Sequence, residues 1–500
     1  MTVEVNIESE ESDRMSYRSS TFSSNGLEKR HITNTRPWQN WNRLRNHLRP
    51  DTRIGLCLEF TTTFEEDMNE LLKWVGEPVR LCILGDDLFQ KTARCSGVRV
   101  LTRFKQFLRA LMVANSMRTS LVLQEIQNKE ELLERIRCLK ISLDDLEKDH
   151  HDPCRAWNDS LMVPLQPLAC NLDSETYRVF ESDYAKYENY EQAMSLALDT
   201  KLETTYSDHR IVIMILGAGR GPLVDALIRA IQTKTSASRR YKVYALDKSF
   251  SSVQSLLFKK QSKWDRLAYK NIEFEVVQAD MRVWNPIEKP DIIASELLGS
   301  FSDNELSPEC IDGTWRFATK STISVPQAYS SYIMPVSSYY LYQQVCSETQ
   351  SSPFDMILVC RMANYYAIDK AQELFTFEHS DLSKEPVPGA NERSKKIRFM
   401  STTDTVCHGF AGYFSAHLYG DVSISTVPDI KTIGMESWFP VFIPLEKPLQ
   451  LPRNTEFEVE FKRRESPDKV WYEWAITSPI KSRVHSTEGE DRAMSKVTEY

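Results

Sequence analysis

The stretch IVIMILGAGRGPL, residues 211–223, decides how this chain folds. It opens with an apolar run that suits a buried strand. Gly217, Gly219 and Gly221 follow, and glycines permit a tight turn and close approach of the backbone to a ligand. Pro222 suits the first position of a helix, where no backbone N–H is needed. The stretch therefore predicts a strand, a ligand-binding turn and a helix, as in a parallel α/β sheet.

Alternating strand and helix patterns continue on both sides of this stretch. Around it, strands are predicted at 211–217, 241–247, 272–280 and 291–296, with helices at 223–233 and 251–263. Nearer the N-terminus, strands are predicted at 53–60, 79–85 and 119–124, with helices at 64–75, 101–113 and 129–139. Both regions are typical of α/β folds, but three N-terminal units are too few to close an eight-stranded barrel.

The pattern changes after about residue 322. Short β-rich runs, among them 339–345, alternate with Pro and Gly, which predicts an antiparallel barrel or sandwich. We therefore predict a disordered N-terminus (1–30), a partial α/β region (31–152), a linker (153–172), a Rossmann-like domain (173–322) and an antiparallel β-barrel domain (323–500).

Composition excludes several classes of protein. The 500 residues are 41% hydrophobic and 26% charged, as in globular proteins rather than disordered chains. The net charge of −8 argues against direct nucleic-acid binding, and no apolar run reaches the roughly 18 residues of a membrane helix. The ten cysteines never have the two- or three-residue spacing of zinc sites, so no metal is expected.

Acidic residues close two further predicted strands. Asp247 ends YALD, where a carboxylate can accept both hydroxyls of a ribose. Asp280 ends QAD and can accept an adenine amino group, while Met281 can cover the ring with a soft apolar face. Because carboxyl ends of parallel strands form one ligand crevice, these residues and Gly217 predict a nucleoside cofactor site.

The kind of cofactor follows from what the glycine turn lacks. The NAD fingerprint requires glycine at its sixth position, which is Pro222 here. The chain also has no GxxxxGK[ST] phosphate-binding loop. A cofactor with ribose and adenine but no phosphate fits better, and S-adenosylmethionine is such a cofactor.

The fourth strand leads into ASELLGSFSDNELSPE, which contains two acids nine residues apart. Glu296 closes the strand, and Glu305 follows a turn with Gly299 and Ser300. Both carboxylates can face the crevice if this segment folds back as a hairpin loop. Two carboxylates can hold a planar, permanently charged guanidinium by forked hydrogen bonds.

The sequence resembles the type II protein arginine methyltransferases of the protein arginine methyltransferase 5 subfamily. SELLGSFSDNELSPE (295–309) is similar to the double-glutamate loop of that family. The family's other motifs are matched in the same order by PLQPL, FESDYAKY, ILGAGRGPL, GYF, SWFP and KVWYEWA. The resemblance is strong over residues 164–479.

The resemblance implies a role for each matching residue. Cofactor contacts are implied for Tyr177, Lys186 (through the cofactor carboxylate), Tyr187, Gly217, Asp247, Asp280 and Met281. Catalysis is implied for Glu296 and Glu305, the symmetric product for Phe180, and a place beside the target arginine for Trp438 and Phe439. The family usually has glutamate where this chain has Asp247, which implies a longer or water-bridged ribose contact.

The resemblance also implies a function and partners. The activity would be S-adenosylmethionine-dependent formation of monomethyl and symmetric dimethylarginine on Gly/Arg-rich proteins, such as histones and splicing proteins, in cytoplasm and nucleus. A homo-oligomer is implied, and so is a TIM-barrel-like N-terminal region that docks a WD-repeat propeller, although this region is short here. One alternative is a catalytically weak or inactive scaffold, favoured by the short N-terminus and Asp247. Another is a small-molecule methyltransferase, which the large C-terminal β region argues against.

Overall fold

The computed structural model describes most of the chain. The described residues are 2–7, 37–47, 54–60, 67–91, 98–114, 119–123, 128–148, 153–234, 239–266, 271–349, 352–489 and 492–497. Within them, no helix is both long and apolar enough to cross a membrane. Residues 8–36, which include most of the predicted disordered N-terminus, lie outside the described residues.

Among its described residues, the N-terminal region is built on a four-stranded sheet in the order β1-β2-β3-β6. Its elements are β1 Thr2–Ile7, α1 Pro37–His47, β2 Ile54–Phe60, α2 Met68–Leu72, β3 Val79–Leu84, β4 Phe89–Lys91, β5 Val98–Val100, α3 Thr102–Ala114, β6 Ser120–Leu123 and α4 Lys129–Lys148. The strands β2, β3 and β6 are parallel, as their alternation with helices predicts.

The strand β1 differs from the expected disordered N-terminus. It pairs antiparallel with β2 along its whole length. The segment TVEVNI alternates polar and β-branched residues, which is a strand pattern too short to stand out in a polar region. Pairing with β1 covers one edge of β2, which would otherwise present unpaired backbone groups.

The middle region carries a five-stranded parallel sheet in the order β11-β10-β7-β8-β9. Its elements are α5 Ser174–Glu181, α6 Tyr184–Thr204, β7 Ile211–Leu216, α7 Pro222–Gln232, β8 Tyr241–Asp247, α8 Phe250–Ser262, β9 Ile272–Gln278, β10 Ile292–Ser295, α9 Ser307–Asp312 and β11 Ile323–Val325. Every residue of β7 is buried, as expected for a strand covered on both faces.

The strand order locates a ligand crevice. The chain runs from β7 to β8 and β9 on one side, then crosses over to β10 and β11 on the other. Ligands of open α/β sheets bind at such a switch point, outside the carboxyl ends of the strands. The predicted boundary at residue 322 is displaced, because β11 pairs parallel with β10 and completes this sheet. Three residues are too few to show by pattern which sheet they join.

The C-terminal region forms two antiparallel sheets, one of seven and one of five strands. Its elements are β12 Ala328–Ser337, α10 Tyr339–Ser347, β13 Leu358–Val359, β14 Tyr366–Ala367, β15 Gln372–Glu378, β16 Arg393–Ser401, β17 Thr405–Tyr419, β18 Val422–Ser425, β19 Val441–Leu451, β20 Thr455–Glu465, β21 Lys469–Ser478, β22 His485–Ser486 and β23 Met494–Ser495. The predicted fold class, an α/β sheet followed by antiparallel β structure, is confirmed.

The β-rich run predicted at 339–345 is wrong, because these residues form α10. Tyr339, Leu341, Gln343 and Val345 are buried at alternate positions, a pattern that resembles a strand. The helix is set by its cap, since the hydroxyl of Ser338 accepts a hydrogen bond from the backbone N–H of Leu341 at 3.3 Å.

The predicted linker at 153–172 is packed against the C-terminal region. Asp159 is buried, and its carboxylate accepts hydrogen bonds from the backbone N–H groups of Ala363 at 2.7 Å and Asn364 at 3.0 Å. Met162 also pairs with Val359 of β13. Three prolines suggest a loose connection, but these distant partners hold the segment in place.

Candidate active site

One cavity opens at the carboxyl ends of the central parallel strands, and it gathers almost all of the predicted site residues. The predicted residues that line it are Tyr177, Phe180, Lys186, Tyr187, Gly217, Asp247, Asp280, Met281, Glu296, Glu305 and Trp438. They come from four strand ends, two helices and two loops. The sheet topology therefore brings together residues that lie up to 261 positions apart in the sequence (177 to 438).

The glycine turn after β7 forms the floor of this cavity. Gly217 has φ of 69° and Gly219 has φ of 52°, a region that residues with side chains rarely adopt. A Cβ atom on Gly217 would lie 2.7 Å from the Leu297 side chain, and one on Gly219 would lie 3.2 Å from the Tyr177 ring. Both positions thus require glycine, and the turn leaves its backbone open to a ligand.

Asp247 is the last residue of β8 and is buried. Its two carboxylate oxygens accept hydrogen bonds of 2.8 Å each, one from the backbone N–H of Gly219 and one from that of Ser249. Burial raises the pKa of this carboxyl, although these hydrogen bonds oppose the rise. Asp247 therefore fixes the glycine turn besides facing the cavity.

Asp280 follows β9 and is held by a neighbour that the sequence analysis missed. The guanidinium of Arg282 reaches both carboxylate oxygens, from Nε at 3.0 Å and from Nη2 at 2.5 Å. Arg282 also donates to the backbone carbonyl of Lys496 at 2.6 Å, which ties this corner to the C-terminal region. Met281 is buried beside the glycine turn, as a cover for a flat ring requires.

The helices α5 and α6 cover the cavity. The hydroxyl of Tyr177 accepts a hydrogen bond from Ser252 at 2.9 Å. Arg220, within the glycine turn, makes a forked pair with Glu181 at 2.8 and 2.6 Å. Glu181 follows Phe180 directly, so this ion pair holds the Phe180 segment over the turn. Neither contact could be predicted from spacing, because each joins residues far apart in the sequence.

Lys186 lies at the centre of an acidic and aromatic cluster. Its buried ammonium is 3.3 Å from the carboxylate of Glu296. The same ammonium lies 5.2, 4.9 and 4.7 Å from the ring centroids of Phe180, Tyr187 and Trp438. Three aromatic faces and one carboxylate stabilise a buried cation, so this cluster is a binding site for positive charge. We call it the cation seat.

The segment between the two predicted glutamates folds back as a hairpin, which is the condition for both carboxylates to face the crevice. Gly299 and Ser302 exchange backbone hydrogen bonds of 3.1 and 3.0 Å. Glu296 accepts from the backbone N–H of Leu298 at 3.2 Å, and Glu305 lines the same cavity. Burial and the nearby charge of Glu296 raise the pKa of Glu305 well above its usual range. The hairpin thus creates a closely coupled pair of carboxyl groups.

The SWFP loop is held by hydrogen bonds to the start of α6 and to the hairpin segment. Asp183, at the start of α6, accepts from the backbone N–H and hydroxyl of Ser437 at 2.8 and 2.7 Å. The indole of Trp438 donates to the carbonyl of Leu298 at 2.8 Å. Phe439 does not line the cavity, and its ring lies 6.0 Å from the guanidinium of Arg361. Neighbouring residues of an extended segment face opposite sides, so only Trp438 faces inward.

Lys248 is a further cavity residue that the sequence analysis missed. Its Nζ is buried and has no hydrogen-bond partner among the described residues. The carboxylates of Asp247 and Asp280 are nearby charges. A buried ammonium without a partner is unfavourable unless a ligand supplies an acceptor. Together with the glycine turn, this unpaired donor fits a ligand that supplies a hydrogen-bond acceptor, as a nucleoside cofactor does. Among the described residues, no group of three or more His, Cys, Asp and Glu side chains could hold a metal ion.

Known protein families match this chain along most of its length. Residues 1–190 match the family model described as PRMT5 TIM barrel domain, residues 148–325 match PRMT5 arginine-N-methyltransferase, and residues 328–494 match PRMT5 oligomerisation domain. The chain is similar to protein arginine N-methyltransferase 5 of Oryza sativa subsp. indica, with 36% identity covering 90% of this chain and 71% of that one.

Two further relatives give the same result. Protein arginine N-methyltransferase 5 of Xenopus laevis is 36% identical, with coverage of 91% of this chain and 71% of that one. Protein arginine N-methyltransferase skb1 of Schizosaccharomyces pombe is 32% identical, with 88% and 70%. The cofactor of such a methyltransferase is S-adenosylmethionine. This agrees with the glycine turn and the acidic strand ends that line the cavity. The chain belongs to the protein arginine N-methyltransferase 5 family.

Proposed function

We propose that this arginine methyltransferase forms monomethyl and symmetric dimethylarginine on Gly/Arg-rich protein segments, such as those of histones and splicing proteins. The observation that carries the proposal is the cation seat, in which one carboxylate and three aromatic rings surround a single positive charge. A target guanidinium is a planar cation that suits such a seat. Gly/Arg-rich segments present arginine with little steric bulk around it.

The two glutamates would bind and orient the target arginine. Glu296 and Glu305 can accept forked hydrogen bonds from one guanidinium, which fixes its plane and the direction of one terminal nitrogen. Both carboxylates also stabilise positive charge on the guanidinium carbon, so that the attacking nitrogen becomes a better nucleophile. Glu305, whose pKa is raised, is suited to accept the proton that this nitrogen loses.

When bound, S-adenosylmethionine would supply an electrophilic methyl group for transfer to the target nitrogen. Seven residues of the chain are assigned to hold the cofactor: Tyr177, Lys186, Tyr187, Gly217, Asp247, Asp280 and Met281. The rings of Tyr187 and Trp438 line the cavity and would limit the access of water to a bound arginine.

The decisive experiment is a methylation assay with a Gly/Arg-rich peptide, followed by mass spectrometry of the methylarginine. Symmetric dimethylarginine and monomethylarginine are the expected products. Asymmetric dimethylarginine from the unaltered protein would contradict the type II assignment, and absence of any methylarginine would contradict the substrate class.

Phe180 is the residue that we expect to decide the symmetry of the product. Its ring lies on one side of the cation seat, on the α5 segment that the Arg220–Glu181 pair holds. A rigid ring can obstruct the pose that would place a second methyl on the nitrogen already methylated. Phe180→Met is therefore expected to yield some asymmetric dimethylarginine, because methionine is thin and adaptable.

The control for Phe180→Met is Phe258→Met, which changes an exposed phenylalanine of α8. Mass spectrometry that separates the two dimethylarginines measures the outcome. A purely symmetric product from an active Phe180→Met protein would show that another residue sets the symmetry.

Asp247 is expected to contribute to cofactor affinity. Asp247→Ala removes a buried carboxylate and its bond to the glycine turn, so cofactor binding should weaken by about 1–3 kcal/mol. Asp247→Glu is expected to bind at least as well, because the longer side chain reaches further towards a ribose. Calorimetric titration with S-adenosylmethionine measures both, and Asp199→Ala on α6 is a control outside the cavity. Unchanged affinity in Asp247→Ala would mean that the ribose is held elsewhere.

We also propose that the protein works as a homo-oligomer, and the oligomerisation-domain match over residues 328–494 supports this proposal. A WD-repeat partner is a further proposal, and its docking region would be the N-terminal sheet. Sedimentation velocity of the purified protein tests the first, and co-purification with a WD-repeat propeller tests the second.

A further inference from the structure

A buried ion cluster lies directly behind the hairpin that carries Glu305. Arg463, near the C-terminal end of β20, has no exposed side-chain surface, and neither does Asp303. The Arg463 Nε donates to Asp303 at 2.6 Å, while Nη1 and Nη2 donate to the two oxygens of Glu309 at 2.8 and 3.0 Å. One guanidinium from the C-terminal region therefore binds two acids of the catalytic segment.

These two acids lie on either side of Glu305 in the sequence. Asp303 comes two residues before it and Glu309 four residues after it, so Arg463 holds the segment on both sides. Asp303 also accepts a hydrogen bond from the Tyr472 hydroxyl at 2.7 Å, and its backbone carbonyl accepts from the N–H of Leu306 at 3.0 Å. The turn that contains Glu305 is thus closed by Asp303 and anchored to β20 and β21.

This segment requires such an anchor because its backbone is strained. Ser302 has φ of 64° and Leu306 has φ of 65°, a left-handed conformation that is unfavourable for residues with side chains. Strained conformations persist only where the surroundings determine them completely. A fully paired, buried guanidinium can hold such a backbone in place, because breaking either ion pair would leave an uncompensated buried charge.

We propose that Arg463 and Asp303 are positioning residues that set the placement of the Glu305 carboxylate, so that the C-terminal region completes the catalytic site. Neither residue lines the cavity, so each acts through the hairpin rather than on a substrate. The proposal rests on the assignment of Glu305 to arginine binding. It predicts that disturbing the cluster lowers turnover without altering the part of the cavity that holds the cofactor.

The test compares three variants. Arg463→Lys keeps the charge but loses the forked geometry, and Tyr472→Phe removes one hydrogen bond to Asp303 and keeps the ring. Phe461→Leu, also buried on β20 but packed on Phe410 and Trp474, is the control for general loss of stability. Thermal unfolding, kcat and KM for a Gly/Arg-rich peptide, and the Kd for S-adenosylmethionine are measured for each.

Arg463→Lys is expected to lower kcat at least about 10-fold, since a displaced catalytic group is costly even at ångström scale. Its Kd for S-adenosylmethionine should stay within about twofold, and Tyr472→Phe should show a smaller loss of kcat in the same direction. Equal losses of kcat in Phe461→Leu at a matched unfolding temperature would overturn the proposal, and so would unchanged kcat in both cluster variants. If Arg463→Lys does not fold, Tyr472→Phe alone decides.

Hydrogen exchange separates this proposal from the proposed function. Amides of residues 299–306 should exchange faster in Arg463→Lys and Tyr472→Phe than in Phe461→Leu, whatever the substrate is. Faster exchange in a protein that methylates no arginine peptide would contradict the proposed function and support the anchor. Unchanged exchange in an active enzyme would overturn the anchor and leave the proposed function intact.

Discussion

Replacing Glu296 or Glu305 by glutamine is expected to lower kcat for arginine methylation at least ~100-fold, the usual effect of losing a main electrostatic group. Glutamine keeps the size of the side chain but cannot balance the charge of the guanidinium. Both carboxylates line the cavity and are assigned to the target arginine rather than to the cofactor, so the Kd for S-adenosylmethionine should change little. Steady-state kinetics with a Gly/Arg-rich peptide and calorimetry with the cofactor measure the two effects separately.

The control for the two glutamine variants is Glu188→Gln on α6, which changes an acid outside this cavity. Near-normal turnover in Glu296→Gln or Glu305→Gln would contradict the assignment of that residue. The pH dependence offers a further check, because the pKa of Glu305 is raised. Activity should rise with pH as this carboxyl ionises, and Glu305→Gln should lose that part of the rise.

Lys186→Met is expected to weaken cofactor binding about 10- to 150-fold, which corresponds to the ~1.5–3 kcal/mol of a hydrogen bond to a charged group. The same change should tighten binding of an arginine peptide to the protein without added cofactor. The reason is that the Lys186 ammonium pairs with Glu296 between the rings of Phe180, Tyr187 and Trp438. A guanidinium that binds Glu296 must therefore compete with this ammonium.

Calorimetry with each ligand alone measures both effects of Lys186→Met. Lys201→Met is the matched control, since Lys201 is a second buried lysine of α6 that lies outside the cavity. If Lys186→Met left the peptide affinity unchanged and weakened only the cofactor, the competition would be refuted. If both affinities stayed unchanged, the assignment of Lys186 to the site would be wrong.

Local patterns were sufficient to predict most of the parallel sheet and the floor of its cavity. The apolar run of β7, the glycines after it and the acids at the ends of β8 and β9 are each readable within a few residues. The step from these patterns to one site needs only the rule that carboxyl ends of parallel strands share an edge. Patterns failed where a helix buries alternate residues, as α10 does.

The sequence by itself determined the fold class, the glycine cradle and the two glutamates, because these depend on neighbouring residues and on strand order. Only the tertiary structure decided which side chains meet across the cavity. Lys186 and Glu296 are 110 residues apart, and Arg463 and Asp303 are 160 apart. Such pairs leave no periodic signal, since their geometry is set by the packing of whole elements. The packing of the SWFP loop likewise decides that Phe439 does not line the cavity.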